Sequence, residues 1–264
     1  MSEKITADNL DEVVKKNAAI RAETENLVLQ IKTKCNKLSV QSTALLAIQM
    51  LRENGLIMMP VDNPYFGGAI YVKDGKKIPF INTAQPRANQ YFTAWHEIYH
   101  LIFDKISFDH VINVDAYMEE RKAENFASQM LLGNLLPYYL ELPKEMEFIS
   151  KVCCCMDVFQ APYKAIMISL YETAVQSSNE ILKSNIKANF DNSLKNISML
   201  FEKNGLDSNL VLPSNVINLG MIEMKVREAI CEEDEIKYHR DNLRSLEKIK
   251  EEIYKSSNKK SIHL

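Results

Sequence analysis

The sequence predicts a mainly helical protein with one small antiparallel β-sheet. Three observations carry that expectation. The chain has only 7 glycines and 8 prolines in 264 residues, which favours long helices over tight turns. Apolar residues recur at helical spacing through most of its length. The strand and turn signals are confined to residues 56–82.

The elements follow in order. Residues 8–36 lack Gly and Pro, and Leu10, Val13, Val14, Asn17, Ile20, Leu27 and Ile31 form a thin apolar stripe. Ser39 is a plausible N-cap for a second helix through Leu51, ended by Asn54-Gly55. Leu56–Val61 reads as a strand, and Asn63-Pro64-Tyr65-Phe66-Gly67-Gly68 is the one Gly-rich stretch. Ala69–Val72 and Ile78–Ile81 flank Lys73-Asp74-Gly75-Lys76, a hairpin signal, with Pro79 placing its strand at an edge or bulge. Beyond Gln90 the expected helices are 90–104, 115–132, 144–156 and 160–184, then two or three between 190 and 256, the last over 222–255. That last segment carries ten basic and ten acidic side chains between Glu223 and Lys260, as a solvated helix does.

Composition narrows the function classes. Hydrophobic residues make up 46% and charged residues 25%, ordinary for a globular chain rather than a disordered one. The net charge is −3, which disfavours direct nucleic-acid binding as the main activity. No apolar run is long enough to cross a membrane. The polar start, MSEKITADNLDEVVKKN, is neither a secretion signal nor a transit peptide, so the expected location is cytoplasmic. The five cysteines fit a reducing compartment, and Cys153-Cys154-Cys155 read as small buried residues of a helix rather than a thiolate site.

Residues 96–100, His96-Glu97-Ile98-Tyr99-His100, spell HExxH. Four residues of α-helix advance about 400°, which stacks the two imidazoles on one face where both reach the same ion. Zinc favours such nitrogen ligands, and Glu97 stands between them as a general base toward an attacking water. A catalytic zinc also needs a third protein ligand. Ile106 occupies the metzincin histidine position, so a carboxylate on the following helix is expected instead. Within 115–133, Ala123, Phe126, Ala127, Met130 and Leu131 form a core stripe that Glu119 and Glu120 flank on opposite sides. Periodicity does not choose between these two. Glu124, one turn beyond Glu120, is placed to orient a ligating histidine.

The pattern Phe92-Thr93-x-x-His96-Glu97-Ile98-x-His100-Leu101, followed by Glu120-x-x-Ala123-x-x-Phe126-Ala127-x-x-Met130-Leu131, resembles the ImmA/IrrE family of zinc metallopeptidases. The likeness covers roughly residues 40–175 and includes Phe159-x-Ala161-Pro162-x-x-Ala165-x-x-x-x-Leu170. Tyr99, Trp95, Lys122, Glu124 and Gly133 depart from the family's usual residues without removing a ligand.

The resemblance implies an α+β zincin-like core with His96, His100 and Glu120 as ligands of Zn2+ and Glu97 as the base. It implies a protein substrate, a helix-turn-helix transcriptional repressor of a phage or mobile element. The corresponding organisation is a helical extension over 1–38, a metallopeptidase domain over 39–175 and a C-terminal helical region over 176–264. The competing expectation is a non-proteolytic, zinc-containing antirepressor that acts by binding. The hairpin edge at Phe80-Ile81-Asn82 is expected to receive an extended substrate strand. His110, Tyr117 and Tyr91 are candidates for stabilising an oxyanion.

Overall fold

A computed structural model describes residues 4–35, 42–103, 114–192, 194–232 and 237–258. The described residues form eleven α-helices, a short 3-10 turn and three strands. The fold is mainly helical, as the composition requires, with the sheet near the first third of the chain.

Helix α1 (Leu10–Lys34) buries Leu10, Val13, Val14, Asn17, Ile20, Thr24, Val28 and Ile31, a stripe at three- and four-residue spacing. Two of its members are polar, and this is why the stripe looks thin in the sequence. Helix α2 (Thr43–Glu53) stops at Gly55, whose φ of +78° suits a residue without Cβ. Gly55 N donates to Arg52 O and Leu56 N to Leu51 O, so the last carbonyls of α2 are satisfied as the chain turns into β1 (Ile57–Met59).

Strands β2 (Gly68–Lys73) and β3 (Lys76–Asn82) form the expected hairpin. Asp74 and Gly75 both take positive φ, as a two-residue turn of matching twist demands. The sheet is mixed rather than purely antiparallel, because β1 lies parallel to β3 and the strand order is β1-β3-β2. Strand β3 is therefore central, which corrects the expectation that Phe80-Ile81-Asn82 offers a free edge. Phe80, Ile81 and Asn82 pair with β1 on one side, while Phe80 and Ile81 pair with β2 on the other. Pro79 is tolerated because β1 reaches only as far as Phe80, so β3 has a strand partner on one side alone at Pro79. The Asn82 side chain is buried and bonds Val61 N and O and Phe66 O, pinning the Gly-rich loop.

Helix α3 (Arg87–Ile102) packs on β2, β3 and α2, and helix α4 (Val114–Leu131) packs against both α3 and α1. Trp95 is fully buried and its Nε1 donates to Thr43 O, locking α3 to the start of α2. Phe126 of α4 is equally buried against Trp95, Tyr99 and Phe103, at centroid distances of 6.2, 5.9 and 5.8 Å. A polar ladder sets α4 on α1. Arg121 Nε donates to Asn17 Oδ1, Asn17 Nδ2 donates to Glu172, and Thr24 Oγ1 donates to Asn125 Oδ1.

Four further helices complete the middle of the chain: α5 (Leu135–Glu141), α6 (Phe148–Phe159), α7 (Tyr163–Gln176) and α8 (Glu180–Phe190). The expected single helix over 160–184 is divided. Ser178 takes a φ of +53°, and the Asn179 side chain accepts from Leu182 N to cap α8. Cys153, Cys154 and Cys155 are buried on α6, as expected of small apolar residues.

Beyond α9 (Ile197–Lys203) and the 3-10 turn Ser208–Val211, the chain returns to the sheet. Met58 and Asn218 exchange both backbone hydrogen bonds at 2.8 Å, Asn215 N donates to Thr83 O, and Arg87 N donates to Leu212 O. Residues 212–220 thus cover the outer side of β1 and fix the start of α3. The last segment is two helices, α10 (Met221–Glu232) and α11 (Lys237–Asn258), rather than one over 222–255. They pack on each other, and Lys250 pairs with Glu223 across them. No helix among the described residues is long and apolar enough to cross a membrane.

Candidate metal centre

The α3 helix presents His96 and His100 one turn apart. Their Nε2 atoms lie 3.1 Å from each other. Helix α4 brings Glu120 to the same point: its Oε2 is 3.2 Å from His96 Nε2 and its Oε1 is 3.5 Å from His100 Nε2. His96, His100 and Glu120 form the one group of three such side chains, among the described residues, whose ligand atoms converge within 4.8 Å.

The donor set fits a zinc ion. Zinc–nitrogen and zinc–oxygen bonds of about 2.0–2.1 Å in a tetrahedral site place neighbouring ligand atoms about 3.3 Å apart. The three separations here are close to that edge. Two imidazole nitrogens facing each other also need a proton or a cation between them, since a neutral ring presents either a donor or a lone pair at each nitrogen. Glu120 keeps 52% of its side chain open, so the group is accessible from one side.

The choice between Glu119 and Glu120 is made by their neighbours. Glu119 Oε2 accepts from Tyr99 Oη, and Glu119 Oε1 pairs with Lys122 at 3.0 Å. Lys122 in turn pairs with Glu23 of α1 at 2.9 Å. These contacts hold the Glu119 carboxyl below its ordinary range against the opposing effect of burial. Glu119 is committed to a structural chain linking α3, α4 and α1, and Glu120 is left to face the histidines. Glu124 pairs with Arg121 at 2.8 Å within its own helix, and its charge also acts on His96.

Charge and burial act together on the site. Burial disfavours the His96 imidazolium, but the Glu120 hydrogen bond and the charges of Glu97 and Glu120 outweigh it and raise its pKa. Burial likewise opposes ionisation of Glu120, and the hydrogen bond and charge of His96, with His100, bring its carboxyl down. Glu97 behaves oppositely. It is only 5% exposed, and burial pushes its carboxyl up to about 7. Glu97 on α3 and Glu120 on α4 are thus driven to opposite protonation behaviour, the pattern expected of an acid/base site.

The sheet approaches this site closely. A Cβ placed on Gly68 would stand 2.6 Å from Phe80 O, 2.7 Å from Thr93 Cγ2 and 3.1 Å from Glu97 Oε1. One on Gly67 would stand 2.7 Å from Thr93 Oγ1. The glycine pair therefore lets the start of β2 lie directly against Thr93 and Glu97. Sequence reading noted the Gly-rich stretch without this role; a signal for it was Thr93 and Glu97, four residues apart on one helix face. At the other end, Lys77 Nζ donates to His100 O and Leu101 O, satisfying carbonyls of the last turn of α3.

Of the oxyanion candidates, Tyr91 is half-buried and packs against the hydrophobic core. His110 and the Tyr117 side chain lie outside the described residues. Comparisons of the chain with protein-family models, with curated proteins and with solved structures find no match.

Proposed function

We propose that the chain is a zinc-dependent endopeptidase acting on a regulatory protein in the cytoplasm, a helix-turn-helix repressor of a phage or mobile element. The observation that carries the zinc assignment is the convergence of His96, His100 and Glu120 beside a buried Glu97. The substrate class rests on the ImmA/IrrE-like residue pattern.

His96, His100 and Glu120 would hold the ion, and a zinc ion bound there supplies Lewis acidity toward a peptide carbonyl. Glu97 supplies the proton traffic. Its carboxylate takes a proton from water as the water oxygen bonds to the carbonyl carbon, and passes that proton to the amine nitrogen as the C–N bond breaks. Burial raises this carboxyl's affinity for a proton, which suits a group that must take one from water. The outer edge of β2, which has no strand partner among the described residues and begins against Glu97, replaces β3 as the edge that receives an extended substrate.

The test is zinc per chain by elemental analysis, with Glu120→Ala and Glu119→Ala beside the parent. About one zinc is expected, lost or weakened in Glu120→Ala and retained in Glu119→Ala. With a candidate repressor, the zinc-loaded protein should give discrete fragments that disappear with chelator and with Glu97→Gln. Repressor binding without fragments would favour the antirepressor reading, and a protein that takes up no zinc would sink both.

A further inference from the structure

A cavity of about 440 Å3 lies between α1, α3, α4 and α7, and the mechanism above does not use it. Its lining includes Phe92 of α3 and Glu124 of α4. Phe92 is one turn before His96, and Glu124 is one turn after Glu120. The cavity therefore begins about 5–6 Å along both helices from the metal group. Extended peptide rises about 3.3 Å per residue, so the cavity is one or two residues from a scissile bond at that group.

Its chemistry is cationic. Arg121 lines it and is only 6% exposed. The guanidinium uses Nε on Asn17 Oδ1 at 3.1 Å and Nη1 on Glu124 at 2.8 Å. Its Nη2 makes no bond to the described protein, yet the only fully sealed, unpartnered side-chain nitrogen or oxygen among the described residues is Arg21 Nε. Arg121 Nη2 consequently opens on the cavity. Lys4 and Lys164 also line it; Lys164 Nζ donates to Ile5 O at 2.7 Å and lies 4.0 Å from Asp191, so the carboxylates facing these three cations are Glu124 and Asp191. Burial lowers the Lys164 pKa, and the nearby Lys4 charge lowers it further against the opposing pull of Asp191. Three cations, Lys4, Arg121 and Lys164, thus face two carboxylates, Glu124 and Asp191, which leaves the cavity one positive charge in excess. A planar guanidinium with an open amino group matches a carboxylate in geometry as well as charge.

We propose that this cavity is a subsite of the metal cleft that takes a glutamate or aspartate side chain of the substrate, one or two residues from the bond cleaved. The assignment rests on the peptidase reading for its role in cleavage, but the recognition itself is separable from cleavage.

The experiment uses zinc-loaded Glu97→Gln protein and fluorescent, C-terminally amidated peptide pools. Each pool has glutamate, glutamine or lysine fixed at one scanned position. Fluorescence anisotropy should show tighter binding of glutamate over glutamine, by about tenfold, at one position or two adjacent ones, with lysine weakest. The preference should shrink in Arg121→Gln. It should also shrink in Lys164→Glu, a rim substitution that keeps the test valid if the buried Arg121 variant does not fold. Equal binding of the glutamate and glutamine pools at every position, or no binding of any pool, overturns the proposal. So does a preference left unchanged by Lys164→Glu in a folded protein. A glutamate preference in binding, with no cleavage by the parent protein, would sustain the subsite and remove the peptidase reading instead.

Discussion

Replacing Phe126 with alanine removes the ring that fills the space between the two helices bearing His96, His100 and Glu120. Phe126 is fully buried, and three rings surround it: Trp95 and Tyr99 of α3 and Phe103 just past its end. Losing the buried ring forfeits about 2 kcal/mol of transfer free energy. The three aromatic contacts add about 0.5–1 kcal/mol each. The sum, about 4 kcal/mol, lies inside the 3–5 kcal/mol typical of buried Phe→Ala changes. In a chain of this size it should lower the melting temperature by roughly 8–16 °C. Urea unfolding of the metal-free protein, followed by circular dichroism, measures it directly. Zinc binding should weaken in the same variant, because α3 and α4 would settle closer together and shift Glu120 relative to His96 and His100. A loss below about 1 kcal/mol would refute the idea that this ring cluster sets the spacing of the ligand helices.

Three other perturbations reach different parts of the structure. Gly68→Ala should destabilise by about 1–3 kcal/mol, since its Cβ meets Phe80 O and Thr93 Cγ2, and should impair cleavage by displacing Glu97; an urea midpoint and a fragment assay test both effects. Asp11 is held below its ordinary pKa of 3.8, first by the Lys187 hydrogen bond and then by Tyr171. Its stabilisation is therefore present above that value and is lost as pH falls through the lower folded pKa. Asp11→Asn should flatten the acid limb of stability below about pH 4, by no more than about 1 kcal/mol because the pair is largely exposed, as melting temperatures taken downward from that pH would show. Cys153 and Cys155, buried and pushed up to about 12, should resist iodoacetamide in the native protein and react on unfolding, with mass spectrometry reading the sites.

Helices with strong periodicity were legible from residue order, and α1, α3 and α4 lie within a few residues of their expected bounds. The hairpin was legible because Asp74-Gly75 leaves little choice of turn. The pairing of β1 was not, since three residues carry no register and parallel neighbours depend on a crossover. Helix α5 was missed because Pro137 lies within it and Gly133-Asn134 precedes it, both loop signals. The two histidines and Glu97 follow from helical repeat alone. The choice of Glu120 over Glu119 does not, because it depends on Tyr99 from across the helix interface and Lys122 on the same helix, which together capture Glu119. The exchange of β3 for β2 as the open edge has the same origin: which strand lies outermost is decided by the partners it finds, not by its own residues.

The return of residues 212–220 to the sheet bears on how the protein is made. His96, His100 and Glu120 emerge from the ribosome well before Asn218, which closes the outer side of β1, and before Leu212, which anchors the start of α3. During that interval β1 carries an open backbone edge beside a helix whose first turn lacks its tether. Such an edge is a template for pairing with another nascent chain. Premature termination upstream of Leu212 would therefore leave His96, His100 and Glu120 in the product while making it prone to aggregate.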